Sequence, residues 1–547
     1  MPTMSTAYEQ CAADLGGAGS SDNGGGTIDP VALVKCVSES LEDSNAGMDA
    51  FFLIYASSLV FFMQAGFAML CAGAVRLKNV QNTMLKNFLD ACGAALGFYT
   101  VGYAFAYGGS EGSSSTTFIG NTNFFLMDVE DHTFWLFQFA FAATAATIVA
   151  GTLAERCQMA AYLCYSIALT GFVYPVIVHA VWSDAGFLSP TNANPLWGSG
   201  VIDFAGSAVV HTTGGVTAII ATKILGPRKG RFFDARGKPV ERPKKIQGHS
   251  MALQMLGTFI LWFGWYGFNA GSAVKISSAI QGRIASLAAV NTTLAAASGG
   301  VTALFTNLIA VERRMGEATF NIVYAMNGCL GGLVAITAGC AVVEPWAAVI
   351  AGFFAGVIYV VGSDLLVRFR LDDAVDAIPV HLLNGMWGAI VVGLLASPSR
   401  MMDAYETDTH VGWFYSWGRG SADATLLACQ VIGLLFVVGW VTAIMFPFFI
   451  ILNYLGWFRA DSLEEMVGLD ISYHGGGQLF PGAESAVKPE DIEAFQNRRR
   501  ELQRVRSENS ASITQANASQ HFQERGSYHG SPNAFPQGEY ADRSTAE

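Results

Sequence analysis

Apolar segments of roughly 20 residues recur from Phe51 to Tyr454, each of the length an α-helix needs to cross the hydrocarbon of a bilayer. Such runs restrict the chain to an all-α integral membrane protein. The composition agrees, with 52% of the residues hydrophobic and 14% charged at a mean hydropathy of +0.37; a soluble chain carries roughly 25% charged residues. Many of the 60 glycines lie within the apolar runs, as expected of helices packed closely in lipid. The net charge of -12 says little, because topology follows where Lys and Arg sit.

The runs place helices at 50–72, 87–108, 134–153, 159–180, 202–224, 250–268, 286–311, 319–340, 346–368, 378–397 and 425–453, eleven transmembrane helices in all. Arg76, Lys78, Lys86, Arg156, the eight basic residues from Arg228 to Lys245, Arg313, Arg314, Arg368 and Arg370 then fall on one side. The other side carries Lys35, Lys275, Arg283, Arg400 and Arg419. The positive-inside rule puts the N-terminus outside the cell and the C-terminus in the cytosol. An odd helix count is required for that arrangement.

Within the apolar segments, the stretch D-F-A-G-S-A-V-V-H-T-T-G-G from Asp203 to Gly215 holds a carboxylate and an imidazole. Ionisable residues at membrane depth are costly and mark functional sites by default. The stretch D-A-I-P-V-H-L-L-N-G from Asp376 repeats the local pattern around His381. His211 lies on the fifth helix and His381 on the tenth, so the chain reads as a 5+5 inverted repeat, with an eleventh helix bracing the bundle. Two buried neutral imidazoles, each with one donor and one acceptor nitrogen, form a polar track through an apolar tube. Asp203 lies about 12 Å along a helix from His211, too far for a direct bond, and reads as a cap on the helix start. Asp376 reads as a structural cap of the paired helix. His132, His179, His249 and His410 read as surface or interfacial residues.

The nine cysteines show no C-x-x-C and no metal-ligating spacing with histidine. Seven lie in or beside apolar runs and read as buried, inert thiols. Cys11 and Cys36 are the exceptions, and can pair in a disulfide if the N-terminal region is extracellular. The ends divide into an extracellular segment 1–49 without a cleavable signal peptide, the transport domain 50–458, an ordered cytosolic segment 459–477 and a disordered tail 478–547 rich in Gln, Asn, Ser, Glu and Arg. The sequons at Asn291 and Asn517 fall inside a helix and on the cytosolic side, so neither is expected to be glycosylated.

The motifs F-Q-F-A-F-A, A-E-R, G-F-V-Y-P-V, G-S-G-V-I-D-F-A-G-S-A-V-V-H, L-W-F-G-W-Y-G-F-N-A-G-S and D-A-I-P-V-H resemble the ammonium transporter / methylammonium permease / Rhesus family. The likeness is greatest to its plant-type branch, whose tail element is similar to G-L-D-I-S-Y-H-G-G here, and it spans roughly 48–477. The resemblance implies a homotrimer in the plasma membrane, with one conduction path per subunit for ammonium or methylammonium. It places Trp182, Phe141 and Ser272 at an outer recruitment site with Phe137 nearby. It makes Phe141 and Phe268 a gate of two rings, His211 and His381 the pore-lining pair, and Asp203 a buried acidic residue required for activity. Ser472 stands where plant relatives usually carry threonine, and is the candidate phosphorylation site for a kinase acting on the tail.

The physics is coherent with that assignment. An aromatic cage attracts a small cation through its ring faces, and Ser272 can accept one hydrogen bond from it. Carrying the intact ion through the bilayer centre costs roughly 3 kcal/mol on insertion scales and more in simulations, so ammonia passes as the neutral molecule. Deprotonation also separates ammonium from potassium. Two rivals stand beside this reading, an electroneutral gas channel and a sensor signalling through its tail. No nucleophile–base arrangement, phosphate loop or metal spacing appears, so neither an enzyme, a cofactor, a resident metal nor a nucleic-acid partner is expected.

Overall fold

The computed structural model describes residues 4–17, 29–109, 115–234, 236–316, 318–474 and 487–505. It divides into two compact units, Met1–Ala486 and Val487–Glu547. Regular structure among the described residues is helical, with isolated β-bridges at three places only.

One helix, α1, Met4–Gly17, precedes the bundle, which opens with α2, Pro30–Ala74. The apolar run predicts a helix from residue 50, but α2 starts twenty residues earlier. Asp29 caps it by accepting from the Val31 amide, Pro30 occupies its first turn, and no further proline interrupts the 45 residues. Cys11 of α1 and Cys36 of α2 are joined in a disulfide.

The bundle continues with α3, Leu77–Tyr107; α4, His132–Thr152; α5, Met159–Trp182; α6, Ser207–Leu225; and α7, residues 251–270. Next come α8, Ala279–Met315; α9, Ile322–Ile336; α10, Pro345–Arg368; α11, Ile378–Leu395; and α12, Thr425–Tyr454. Caps explain several of the starts. Asp131 accepts from the Thr133 amide ahead of α4, and Ser278 and Gln281 close a reciprocal capping box on α8. Among the described residues, nine helices are long and apolar enough to cross a membrane.

The other two of the eleven expected segments are α7 and α9. The apolar run predicts a helix to residue 340, yet α9 ends at Ile336. Its unravelled end is claimed by the stretch ahead of α6. Phe204 and Ala205 amides donate to the carbonyls of Ala338 and Thr337, and the Ser207 hydroxyl donates to Val334 O at 2.8 Å.

The centre of the bundle is α4, buried from Phe137 to Thr152. In contrast, α12 buries one stripe, Leu426, Cys429, Gln430, Gly433, Leu434, Val437, Val441 and Met445, the spacing of a helix laid against one side of the others. Gln430 anchors it, accepting from Ile202 N and donating to Ile202 O and Ala389 O.

The face that carries most of the basic residues is tied by buried ion pairs. Arg228 bonds Asp372 through Nε and Nη2, both at 2.9 Å, and lies 3.5 Å from Glu155, which also receives Arg76. Burial works to raise the Asp372 carboxyl, but the guanidinium groups of Arg228 and Arg156 outweigh it and hold the group well below the usual range. Glu155 is likewise depressed against its burial by Arg228 and Arg76. The chain after α12 docks here as α13, Ser462–Val467, and α14, Leu469–His474. Arg459 reaches Leu225 O, Pro227 O and Glu465, while Lys78 donates to Met466 O. Asp470 accepts from the Gln81 and Asn82 amides, capping α3 from a distant part of the chain.

Some expectations change here. Residues 489–505 form a helix where composition predicts no structure; acidic Glu490, Asp491 and Glu493 sit in its first turns and Arg498, Arg499, Arg500 and Arg504 toward its end, the order that suits a helix dipole. Residues 475–486 and 506–547, the latter with Asn517, lie outside the described residues. Cys164 is exposed on the side of the bundle rather than buried. His179 is fully buried, bonded to Ala106 O and the Thr117 hydroxyl. Asn291 is buried too, its amide donating to Cys340 O and Val343 O.

Candidate functional site

Both histidines sit in π-helical turns that begin their helices, Ser207–Thr212 in α6 and Ile378–Leu383 in α11. Such turns are rare and gather at functional sites. The helices cross closely because Gly215 and Gly385 occupy equivalent places, four residues beyond each histidine. A Cβ on Gly215 would stand 2.6 Å from Leu382 backbone, and one on Gly385 2.6 Å from Ser207 O. The crossing brings the His211 and His381 Nδ1 atoms to 3.2 Å. One must therefore donate while the other accepts, which couples the two tautomers. His211 Nε2 is buried without a hydrogen-bond partner.

Above the pair runs a column of rings. His211 stacks on Phe268 at 5.5 Å, Phe268 on Phe141 at 4.0 Å, and Phe141 meets the edge of Trp182 at 6.0 Å. Phe137 tilts against Phe141 at 4.7 Å. Ser272 donates its hydroxyl to Phe268 O at 2.8 Å, which leaves the oxygen free to accept. Gly271 keeps this corner open, since a Cβ there would meet the Phe137 ring at 3.1 Å. Trp182, Phe141, Phe268, His211 and His381 thus form one succession of ring contacts, with Phe137 and Ser272 beside it.

Asp203 lies just outside α6 rather than within it, because the helix starts at Ser207. Its carboxylate receives four amides, from Gly206 and Ser207 on Oδ1 and from Ala208 and Val209 on Oδ2, at 2.8–3.0 Å. Its carbonyl accepts the Trp182 indole at 2.7 Å. A single residue therefore fixes both the start of the histidine helix and the aromatic ring at the top of the column.

The sequence pattern misassigns its partner. Asp373, eight residues before His381 as Asp203 is before His211, takes the capping place, accepting from Val375 N and Ile378 N. Asp376 instead faces Tyr359 and Ser363. Beside His381 lies a small cavity of about 20 Å³ lined by Phe67, Cys71, Thr147, Asn327, Val375 and His381 among others. Trp265 was also hidden in the sequence; it stacks on His211 at 5.3 Å with its indole on Thr337. An indole in an apolar run carries no signal of its own beyond core packing. Ser472 lies on α14, far along the chain from the ring column, its hydroxyl donating to Gly468 O. Among the described residues no cluster of His, Cys, Asp and Glu is arranged to hold a metal.

The model of the Ammonium Transporter Family matches residues 50–479. The chain belongs to that family. It is 44% identical over 445 residues to "Ammonium transporter 1 member 3" of Solanum lycopersicum, covering 78% of this chain and 92% of the relative. It is 39% identical to "Ammonium transporter 3" of Dictyostelium discoideum, covering 78% and 93%. Among solved structures it is similar to a "Sensor Amt Protein", with TM-score 0.66, 30% identity and coverage of 79% and 99%. Mep2 of Candida albicans matches with TM-score 0.66 and 26% identity, covering 80% and 94%. This is a multi-pass membrane protein of the ammonium transporter family.

Proposed function

We propose that the chain is a plasma-membrane ammonium transporter of the high-affinity type, working as a homotrimer with one path in each subunit. All eleven bundle helices, α2 to α12, cross the membrane, with the N-terminus extracellular and the basic face cytosolic. Ammonium or methylammonium is held outside by Trp182, Phe141 and Ser272, with Phe137 behind them, and loses its proton near Asp203. Ammonia passes the Phe141–Phe268 gate and the His211–His381 pair, and the proton follows, so that transport carries current.

The observation that carries this reading is the 3.2 Å contact between the histidine Nδ1 atoms, directly beneath the stacked rings. A cation cage above an apolar constriction suits an ion that is desolvated and neutralised before it passes. A neutral-gas channel has no use for the cage. Signalling through the tail is compatible with conduction, and the docked α13–α14 segment gives it a structural basis: a phosphate on Ser472 would add negative charge close to Asp470, which caps α3. The Cys11–Cys36 bond fits the oxidising extracellular side.

The test is voltage-clamp current in oocytes with external ammonium at several pH values, alongside labelled methylammonium uptake. Saturable inward current that accompanies uptake, weakened in His211→Ala and Trp182→Leu, supports the proposal. Uptake without current favours the gas channel. Surface-expressed protein with neither favours the sensor.

A further inference from the structure

Ser272 stands in the connection between α7 and α8, and that connection is built under constraint. Its first part continues the helix: Ser272 N donates to Asn269 O, Ala273 N to Ala270 O and Val274 N to Gly271 O. Val274 then takes φ +61°, a left-handed backbone that a β-branched residue adopts only under strain. Such a conformation persists where the surroundings over-determine it. Lys275 N closes onto Ala273 O at 2.6 Å, and Ser278 opens the capping box of α8.

The outside constraint is Asp49, on α2. Its Oδ1 accepts the Ile276 and Ser277 amides at 2.7 and 2.9 Å, and its Oδ2 accepts the Ser277 hydroxyl at 2.8 Å. Asp49 lies inside α2 rather than at its end, so the helix itself fixes where the carboxylate stands. Two turns further along, Ala56 is on the same face and packs against α7. A Cβ on Gly267 would stand 2.7 Å from Ala56 O, and one on Gly271 2.7 Å from Ala56 Cβ. The same helix therefore holds the end of α7 and the connection that follows it. The strained Val274 sits between two anchored stretches, with Ser272 bonded to Phe268 and Asn269 on one side and Ser277 bonded to Asp49 on the other.

We propose that Asp49 is a positioning residue for the outer ammonium site, holding the stretch from Gly271 to Ser277 so that the Ser272 oxygen keeps the place from which it accepts a bond from the cation. This rests on the reading above that Ser272 belongs to that site. Asp49 acts through the loop and touches no substrate. Without its carboxylate, two amides and a hydroxyl lose their acceptor, Val274 relaxes toward an ordinary backbone, and the turn that carries Ser272 moves with it. Asparagine keeps one oxygen for both amides and turns its NH2 to the Ser277 oxygen, so the clamp works through its bonds and not through its charge.

The experiment measures methylammonium uptake against concentration in oocytes expressing the full chain, normalised to surface-labelled protein. Ser272→Ala is expected to raise half-saturation about tenfold, the scale of one hydrogen bond to a charged group. Asp49→Ala should raise it roughly three- to tenfold at unchanged maximal uptake, and Asp49→Asn should stay near wild type. In the Ser272→Ala background, Asp49→Ala should add less than about twofold, because the two act as one unit. Unchanged half-saturation in Asp49→Ala overturns the clamp. So does an equal rise in the Ser272→Ala background, which marks a merely structural role, or an equal rise in Asp49→Asn, which marks attraction by charge. If Asp49→Ala fails to reach the surface, Ser277→Ala decides: a roughly two- to threefold rise that disappears in the Ser272→Ala background supports the clamp, and no rise overturns it. Unchanged half-saturation in Ser272→Ala overturns the outer-site reading itself, and the clamp with it.

Discussion

Replacing Asp203 with asparagine tests how the histidine helix is held. The carboxylate now receives four buried amides, two on each oxygen. Asparagine keeps one oxygen, so two amides lose their acceptor and face an NH2 group instead. At ~1–3 kcal/mol for each unsatisfied buried group, the substitution costs roughly 2–6 kcal/mol. That is a large part of the ~5–15 kcal/mol that separates folded from unfolded proteins. The melting temperature of the detergent-purified protein, followed by differential scanning fluorimetry, should fall by several degrees. Methylammonium uptake measured well below the new melting point should still be reduced, because the Asp203 carbonyl also positions the Trp182 indole. An Asp203→Asn protein that melts with the wild type and transports normally would refute the argument, since it would mean that the four bonds contribute nothing.

Trp182→Leu should weaken apparent affinity by roughly 2- to 30-fold, the equivalent of ~0.5–2 kcal/mol of cation–π attraction, which a concentration series of methylammonium uptake would reveal as an altered half-saturation. Asp373 is raised to about 6, so its contribution to stability is full below about pH 4 and is lost as pH rises through 6. A shift from the ordinary value near 4 corresponds to something on the order of 3 kcal/mol, and Asp373→Asn should remove that part of the pH slope in thermal melts. Glu155 and Asp372 are depressed instead; their contribution stays intact above about pH 4, and melts of Arg228→Ala should be lower than wild type at every pH from 5 to 8. Cys11→Ser opens a cross-link spanning 25 residues, worth ~3 kcal/mol in the chain-entropy account; limited proteolysis should then cut near α1 while uptake by the bundle persists.

The apolar runs announced where every bundle helix lies, because burial in lipid demands an unbroken stretch of the right length. They did not announce where helices end when polar partners intervene. Nothing in the composition of residues 337–340 marks that the stretch 204–207 claims their carbonyls. The start of α2 was missed for the opposite reason: Lys35, Glu39, Glu42 and Asp43 look like a loop beside a membrane, yet contain no breaker. The histidines and Asp203 were legible because a titratable group stands out against an apolar background. Asp373 and Asp376 lie three residues apart on one loop, and only the bonding partners separate the cap from the group that faces Tyr359. The buried Arg228–Asp372 pair was also illegible as such, since Arg228 reads as one of eight similar cations in a row.

The wide turns at Ser207–Thr212 and Ile378–Leu383 hold one residue more per turn than a regular helix needs. Removing a residue from either would let it close into an ordinary turn, at no evident cost to hydropathy or length. A wide turn and the ordinary turn that replaces it sweep nearly the same angle, so the helix beyond would keep its phase while the imidazole inside the turn moved relative to its mate, every side chain keeping its identity. Substitution scans hold the count constant and pass over this. The meeting of the two rings depends on how many residues precede them as much as on which residues they are.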